Sequence, residues 1–244
     1  MSFGVLASKS QLLPKEMFMS SMTSNPSLTL QLREHTAQHH KNAEGRALER
    51  SLAAGTLPRD LYLAMLGQRY LIHRVLEKHL ANLNSTAPEV SVLIDQQQFL
   101  APHAEADLQH FGVNISSITP LKSTKRLCEQ IDQTAAKNPT ALVGVHYVFE
   151  GSKNGARYLC RIVRQAYGLH AADGVRYMDP HGEQQRPLWE QFKQRLDSLP
   201  LEQAQIAEIV AAAASTFDGI SAIDDELMAG ASPASAVPGH AHRH

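Results

Sequence analysis

The stretch that decides the fold is Leu32-Arg33-Glu34-His35-Thr36-Ala37-Gln38-His39-His40-Lys41-Asn42-Ala43-Glu44. It belongs to a helix that we predict from about Ser27 to Glu44, and it carries three histidines. His35 and His39 lie four residues apart and share a face of that helix, whereas His40 is turned by about 100° from His39. The three imidazoles therefore cannot all bind one metal ion, and one of them has to be singled out.

His40 differs from the other two histidines in its neighbours along the helix. Thr36 lies one turn before it and Glu44 one turn after it, so a carboxylate can accept the proton of one ring nitrogen and leave the other free for a metal. That arrangement suits an axial ligand of heme iron. The same spacing also fits a solvated polar face on which no histidine binds anything, and spacing alone leaves both interpretations open.

A second informative stretch is His146-Tyr147-Val148-Phe149-Glu150-Gly151-Ser152-Lys153-Asn154-Gly155-Ala156. Gly151 and Gly155 lie inside a helical pattern, where each costs about 1 kcal/mol relative to alanine. Glycines four residues apart leave one helix face without side chains, so a flat ligand could approach the backbone. Close packing of a second helix requires the same small residues, and this alternative also stays open.

The rest of the chain predicts a single all-α domain over residues 27–229. Apolar positions recur at three and four, and strand-like alternation of useful length is missing. The predicted helices begin near these residues: Ser27, Pro58, Pro102, Ser123, Thr140, Pro187 and Leu201. Residues 1–26 are expected to form a mobile leader. Residues 230–244, whose histidines are His240, His242 and His244, are expected to form a disordered tail without a fixed metal.

Composition narrows the class of partner and the compartment. The chain has 23 Lys and Arg against 24 Asp and Glu, a formal charge of -1, which provides no field to gather nucleic acid or an anionic membrane. Cys128 and Cys160 lie far apart, which favours a reducing compartment over a disulfide scaffold. We identify neither a membrane span nor a secretory signal in the sequence, so the expected location is the cytoplasm.

The two motifs together resemble the heme oxygenase family. Residues 32–44 are similar to its proximal helix, and the stretch 147–156 is similar to the distal helix of its bacterial branch, in the same order and about 110 residues apart. Trp189-x-x-Phe192-Lys193 and Phe217 fall where the family places a heme-edge lysine and a phenylalanine of the pocket. The resemblance covers roughly Leu28 to Leu227.

The resemblance implies an all-helical fold with heme between a proximal helix and a glycine-bearing distal helix. Heme is then both cofactor and substrate, and O2 with external electrons opens the ring at a meso carbon to give biliverdin, carbon monoxide and ferrous iron. A ferredoxin, a flavodoxin or an NADPH-dependent reductase is the expected electron donor.

The same resemblance implies a role for each site residue. The axial ligand of the iron is His40. The catalytic residues of the distal helix are Gly151, Ser152, Asn154 and Gly155. The residues that contact heme are Arg33, Thr36, Glu44, Ala156, Lys193 and Phe217. Among these, Arg33 and Lys193 are expected to meet the propionates, because a cation opposite a carboxylate is the usual device.

Two positions depart from the family pattern, and two other functions are compatible with parts of the sequence. Lys153-Asn154 stands where bacterial relatives have a leucine in the second place, and Asp197 stands where the mammalian family has an arginine. A heme carrier or sensor would need the same His40 and the same glycines. A relative that uses the fold without heme would need inward Glu-x-x-His pairs, which we do not find in the sequence.

Overall fold

The chain is described from a computed structural model over residues 26–170 and 172–231. Within these ranges every element of regular structure is a helix, which confirms the predicted all-α class. The α-helices are α1 (Leu28–Glu44), α2 (Ala47–Ala53), α3 (Arg59–Leu80), α4 (Leu83–Thr86), α5 (Pro88–Ser91), α6 (Ala101–His110), α7 (Lys122–Lys137), α8 (Leu142–Tyr167), α9 (Gln185–Asp197) and α10 (Gln203–Gly230). The predicted leader up to residue 25 and the tail from residue 232, with its three histidines, lie outside the described residues.

Most helix starts lie within a few residues of their predicted positions. The hydroxyl of Ser27 accepts a hydrogen bond from the Leu30 amide at 3.3 Å and caps α1, and Pro58 immediately precedes α3. The prediction that Ser123 caps α7 is wrong. The helix begins one residue earlier, and the carboxylate of Glu226 from α10 accepts the Ser123 amide at 2.8 Å. A residue about 100 positions away supplies this cap, so no local pattern could reveal it.

The helix α10 forms the centre of the bundle and packs against α1, α7 and α8. Its backbone approaches α8 at Gly144, where an added Cβ would lie 2.0 Å from the carbonyl oxygen of Ile209. Arg69 of α3 reaches Asp224 of α10 across the core at 2.7 Å, and both side chains are buried. These contacts hold α1, α3, α7 and α8 against one central helix.

By length and composition alone, α10 could also cross a membrane, which corrects the expectation that no segment is apolar enough. Such a helix is weak evidence for a span, because core helices pass the same test. In this fold Ile209, Ala213 and Ile223 are buried among the other helices, and the same helix carries Asp224 in a buried ion pair. About a third of the apolar stretch is buried, so one face of the helix packs within the bundle.

The packing leaves α1 and α8 apart from one another. Both contact α9 and α10, yet within the described part of the chain they make almost no contact with each other. The carboxylate of Asp197, near the end of α9, accepts the Thr29 amide of α1 at 2.7 Å. This bond explains the acidic residue at position 197, since it caps the first turn of α1 and ties α9 to it. We take the region between α1 and α8, where both helices are joined through α9 and α10, as the candidate site and call it the crevice.

Candidate heme site

The proximal side of this crevice is formed by His40, one turn before the end of α1. Its Nδ1 lies 3.5 Å from the Glu44 carboxylate one turn later, and 53% of its side chain is exposed. The edge of the Phe217 ring faces the imidazole, with the two ring centroids 5.4 Å apart and the planes at 79°. The carboxylate and the aromatic ring orient the imidazole, and among the described residues Nε2 has no hydrogen-bond partner.

The other two histidines of α1 have different surroundings. His39 Nδ1 lies 2.7 Å from the Asp218 carboxylate of α10, next to Phe217, and His35 is exposed. Thr36 is buried and donates its hydroxyl to the Leu32 carbonyl at 2.7 Å, so it packs within the helix. Of the three histidines, only His40 has both a carboxylate near one ring nitrogen, from Glu44, and a perpendicular aromatic ring, from Phe217, packed against the imidazole.

The distal side is the glycine face of α8. A Cβ added at Gly155 would meet nothing within 4 Å, and one added at Gly151 would meet only the indole of Trp189, at 3.5 and 3.8 Å. Ala156 follows and is half-buried. Within residues 26–170 and 172–231, no second helix backbone packs on these two glycines, so the alternative of close helix packing does not hold for them. The bare face is open to a ligand.

The polar residues between the two glycines are held by their own helix. Ser152 is exposed and donates its hydroxyl to the Phe149 carbonyl at 2.8 Å. The Asn154 amide donates to the Gly151 carbonyl at 3.0 Å, and its oxygen accepts from Gln185 of α9 at 3.5 Å. Asn154 thus fills the gap between α8 and the start of α9.

Lys153, the other unexpected residue of this motif, points away from the crevice. It is buried behind α8, where its ammonium donates to the Glu150 carboxylate and, at 2.8 Å, to the Gln98 carbonyl. Burial lowers the pKa of Lys153 and raises that of Glu150, while their mutual attraction opposes both shifts. The lysine is a structural partner of Glu150 and leaves the ligand face unaffected.

Buried histidines extend this polar cluster towards α3. His73 Nδ1 lies 3.4 Å from Glu77, whose carboxylate accepts the Ala101 amide at 3.0 Å. His146 of α8 lies 3.4 Å from the Gln98 side chain, and burial lowers its pKa to about 3. Our sequence interpretation missed this cluster. Its signal was present as His73 and Glu77, two polar residues inside the apolar stripe of α3.

Two cations flank an aromatic pair at the α9 end of the crevice. Tyr147 and Trp189 have ring centroids 5.4 Å apart. The Lys193 ammonium lies 5.6 Å from the Trp189 ring and donates to Glu190 at 3.0 Å. Burial raises the pKa of Tyr147, and the nearby charge of Arg33 lowers it. The structure thus brings Arg33 and Lys193, far apart in sequence, to the same end of the site.

These features fit a flat tetrapyrrole with one axial imidazole. The crevice offers a free imidazole nitrogen on one wall, an exposed helix backbone on the other, and two cations at one end for carboxylate substituents. The sequence-predicted residues His40, Gly151 and Gly155 all belong to its two walls.

Known proteins are similar to this chain in sequence and in fold. The sequence model of the heme oxygenase family matches residues 26–223. A heme oxygenase of Pyropia yezoensis is 25% identical over 194 residues, which cover 78% of this chain and 81% of the relative. Two solved structures from Synechocystis sp. PCC 6803 are similar in fold. Heme oxygenase-1 in complex with heme has a TM-score of 0.78 at 23% identity, covering 84% of this chain and 94% of its own. Heme oxygenase-2 with heme and NO has a TM-score of 0.78 at 25% identity, covering 83% and 85%.

Proposed function

Because this chain belongs to the heme oxygenase family, we propose that it binds heme in the crevice between α1 and α8 and opens the ring at a meso carbon, with O2 and external electrons, to biliverdin, carbon monoxide and ferrous iron. The observation that carries the proposal is the pairing of two walls. An oriented imidazole, His40, lies on one helix, and a glycine face on which no other described helix backbone packs lies on the other. Bound heme supplies both the redox-active iron and the carbon skeleton that is oxidised.

On the proximal side, His40 Nε2 would hold the heme iron. The Glu44 carboxylate lies 3.5 Å from Nδ1 and would accept its proton, which would fix the tautomer and leave Nε2 as the metal-binding nitrogen. The Phe217 ring restrains rotation of the imidazole. A neutral imidazole would supply less electron density to the iron than a thiolate would.

On the distal side, the absence of a side chain at Gly155 lets the porphyrin approach the helix backbone, and the absence of one at Gly151 leaves room for the Trp189 indole. Ser152 and Asn154 lie on the turn between these glycines and hold the water that delivers protons. Asn154 is oriented by its bonds to Gly151 and Gln185, so its position does not depend on a ligand.

At the propionate end, Arg33 and Lys193 provide the positive charge for two carboxylates. Arg33 lies near Tyr147 and Lys193 lies over Trp189, and the two aromatic rings pack together, which supports this assignment. Electrons come from an external ferredoxin, flavodoxin or NADPH-dependent reductase. A cytoplasmic location agrees with the two cysteines, Cys128 and Cys160, which are both free.

The test is absorption spectroscopy of the heme-loaded protein in the presence of a reducing system, O2 and catalase. We expect a Soret band at one heme per chain that decays to a biliverdin spectrum with release of carbon monoxide. His40→Ala should lose the normal axial spectrum and turnover. His35→Ala is the matched control, because His35 is an exposed histidine of the same helix, and it should behave as the wild type.

The other outcomes separate the alternatives. Heme that binds through His40 but persists under reductant and O2 would identify a carrier or sensor built on the same fold. Failure of the wild type to bind heme at one per chain would overturn the proposal.

A further inference from the structure

The two glycines of the distal face do not have the same surroundings. The space beside Gly155 is open for at least 4 Å, whereas the six-membered ring of the Trp189 indole lies 3.5 Å from the Cβ position of Gly151. Trp189 belongs to α9, so an aromatic ring of α9 covers the Gly151 half of the glycine face of α8. The other half of that face is left free.

The indole is held in this place from several sides. The ring of Phe192 stacks on it with 5.6 Å between centroids and an angle of 15°, and Tyr147 packs at 5.4 Å. The Lys193 ammonium lies 5.6 Å from the indole centroid. The helix itself is anchored at its end, where Asp197 bonds to α1. Trp189 is therefore a fixed wall of the crevice more than a mobile surface ring.

We propose that Trp189 is a specificity-determining residue, which closes the Gly151 half of the distal face and seats the tetrapyrrole against Gly155 with its edge on the indole. This inference rests on the proposed function, because it assumes that heme occupies the crevice. The four meso carbons of a porphyrin are related by rotation in the ring plane, so a wall at one edge selects which of them lies under the distal helix. Trp189 then acts through shape and takes no part in proton or electron transfer.

A different residue at position 189 would define a different crevice. A smaller side chain would expose the backbone of Gly151 and let the macrocycle slide or rotate towards α9. A phenylalanine would keep an aromatic wall at the same place. The side chain at position 189 thus determines the in-plane orientation of the porphyrin, whereas His40 determines whether heme binds.

The first experiment compares wild type, Trp189→Ala and Trp189→Phe, with Tyr158→Ala as control, since Tyr158 is an α8 aromatic that is 81% exposed. The heme-methyl proton resonances of the ferric cyanide complex report the in-plane seating, and chromatography of the biliverdin isomers reports the carbon cut. We expect one dominant seating and one isomer for wild type, Trp189→Phe and Tyr158→Ala. In Trp189→Ala a second seating and a second isomer should rise by about two- to tenfold, the change expected from the loss of one aromatic contact.

The second experiment does not depend on the alanine variant folding. Gly151→Ala adds a methyl group in ordinary contact with Trp189, on the half that the indole already covers, whereas Gly155→Ala adds one on the open half. Heme titration, followed by quenching of Trp189, the only tryptophan of the chain, should show weaker binding for Gly155→Ala by at least about tenfold. Gly151→Ala should weaken binding by a smaller factor than Gly155→Ala does, because its methyl group lies on the half of the face that the indole covers.

Each failure points to a different cause. Unchanged methyl resonances and isomers in a folded Trp189→Ala, or equal losses of affinity in the two glycine variants, would overturn the role of Trp189 and leave the oxygenase proposal intact. Failure of wild-type protein to bind heme at one per chain would overturn the oxygenase proposal itself.

Discussion

The two halves of α8 use glycine for opposite purposes. In the first half, residues 142–150, all but one residue are buried, and Gly144 brings the helix against the backbone of α10. In the second half, residues 151–167, Gly151 and Gly155 face an indole and open space. An open glycine face and close helix packing through glycine are thus both present on one helix, with Gly144 seven residues before Gly151 and eleven before Gly155. What a Cβ would meet at each position distinguishes them.

The exposed charges of α8 lie in its second half. The first half buries His146 and Glu150, and the second half buries Lys153 beside Glu150 but carries Arg161 and Arg164 on its exposed side. A rigid, dry first half anchored to α10 holds the second half at a fixed distance from α1. The crevice can stay open because its walls are supported outside it.

The largest effect is expected from Gly144→Ala. The new Cβ would lie 2.0 Å from the Ile209 carbonyl oxygen, and because that atom belongs to the backbone of a central helix it cannot move aside alone. We expect a loss of about 3 kcal/mol or more in the free energy of unfolding, at the upper end of overpacking effects. Urea unfolding followed by circular dichroism measures it.

The control for this prediction is Gly67→Ala, whose Cβ would lie 3.2 Å from a side-chain methyl of Ile118, a flexible neighbour. It should cost less than half as much. Equal losses in the two variants would show that contact between the backbones of α8 and α10 does not set the cost.

A smaller, pH-dependent effect is expected from His146. Burial lowers its pKa from 6.5 to about 3, so below pH 6.5 the unfolded chain takes up a proton that the folded protein does not. The folded state is therefore destabilised as the pH falls, by about 2 kcal/mol between pH 8 and pH 5 for one such histidine. His146→Gln should lose this contribution, so the free energy of unfolding of the variant falls less steeply in acid.

Unfolding by urea at pH 8, 6 and 5 tests this expectation, with the exposed His35→Gln as control. The residual acid sensitivity of His146→Gln should come in part from His73, whose pKa burial also lowers. Parallel profiles for wild type and His146→Gln would contradict the assignment of His146 as a histidine that stays neutral in the core.

The sequence was sufficient for the features that depend on periodicity and local spacing. The all-α class, the cap at Ser27 and the pairing of His40 with Glu44 are set by residues within one or two turns of each other, and the structure has all three. The contact between Trp189 and Gly151 could not be predicted in this way, because it joins residues 38 positions apart on different helices. The same holds for the Glu226 cap of α7 and for the bond from Asp197 to α1.

Lys153 illustrates the limit most directly. In the motif it stands between two residues assigned to the ligand face, yet a helix turns by about 100° per residue, and this turn places its side chain in the core beside Glu150. The helical spacing predicts the direction of the Lys153 side chain relative to Ser152 and Asn154. Which of these directions faces the protein core depends on where the neighbouring helices lie. A buried lysine requires a partner, and the partner was visible three residues earlier.

The smallest effect, and the sharpest test of the comparison, is expected from Gly155→Ala. Its Cβ would meet nothing within 4 Å, so in the heme-free protein the substitution should gain helix propensity without a clash and stabilise the fold by about 1 kcal/mol. The same methyl group would stand where the tetrapyrrole approaches the backbone, so heme affinity should fall. Urea unfolding of the heme-free protein and heme titration measure the two changes.

The control is Gly230→Ala. Gly230 also has no neighbours within 4 Å of its Cβ position but lies at the end of α10, so this substitution should leave heme affinity unchanged. A more stable protein that binds heme less tightly would show that the glycine is kept for the ligand at the expense of the helix. A variant that is less stable and binds heme normally would place Gly155 with Gly144, and the distinction between the two halves of α8 would fail.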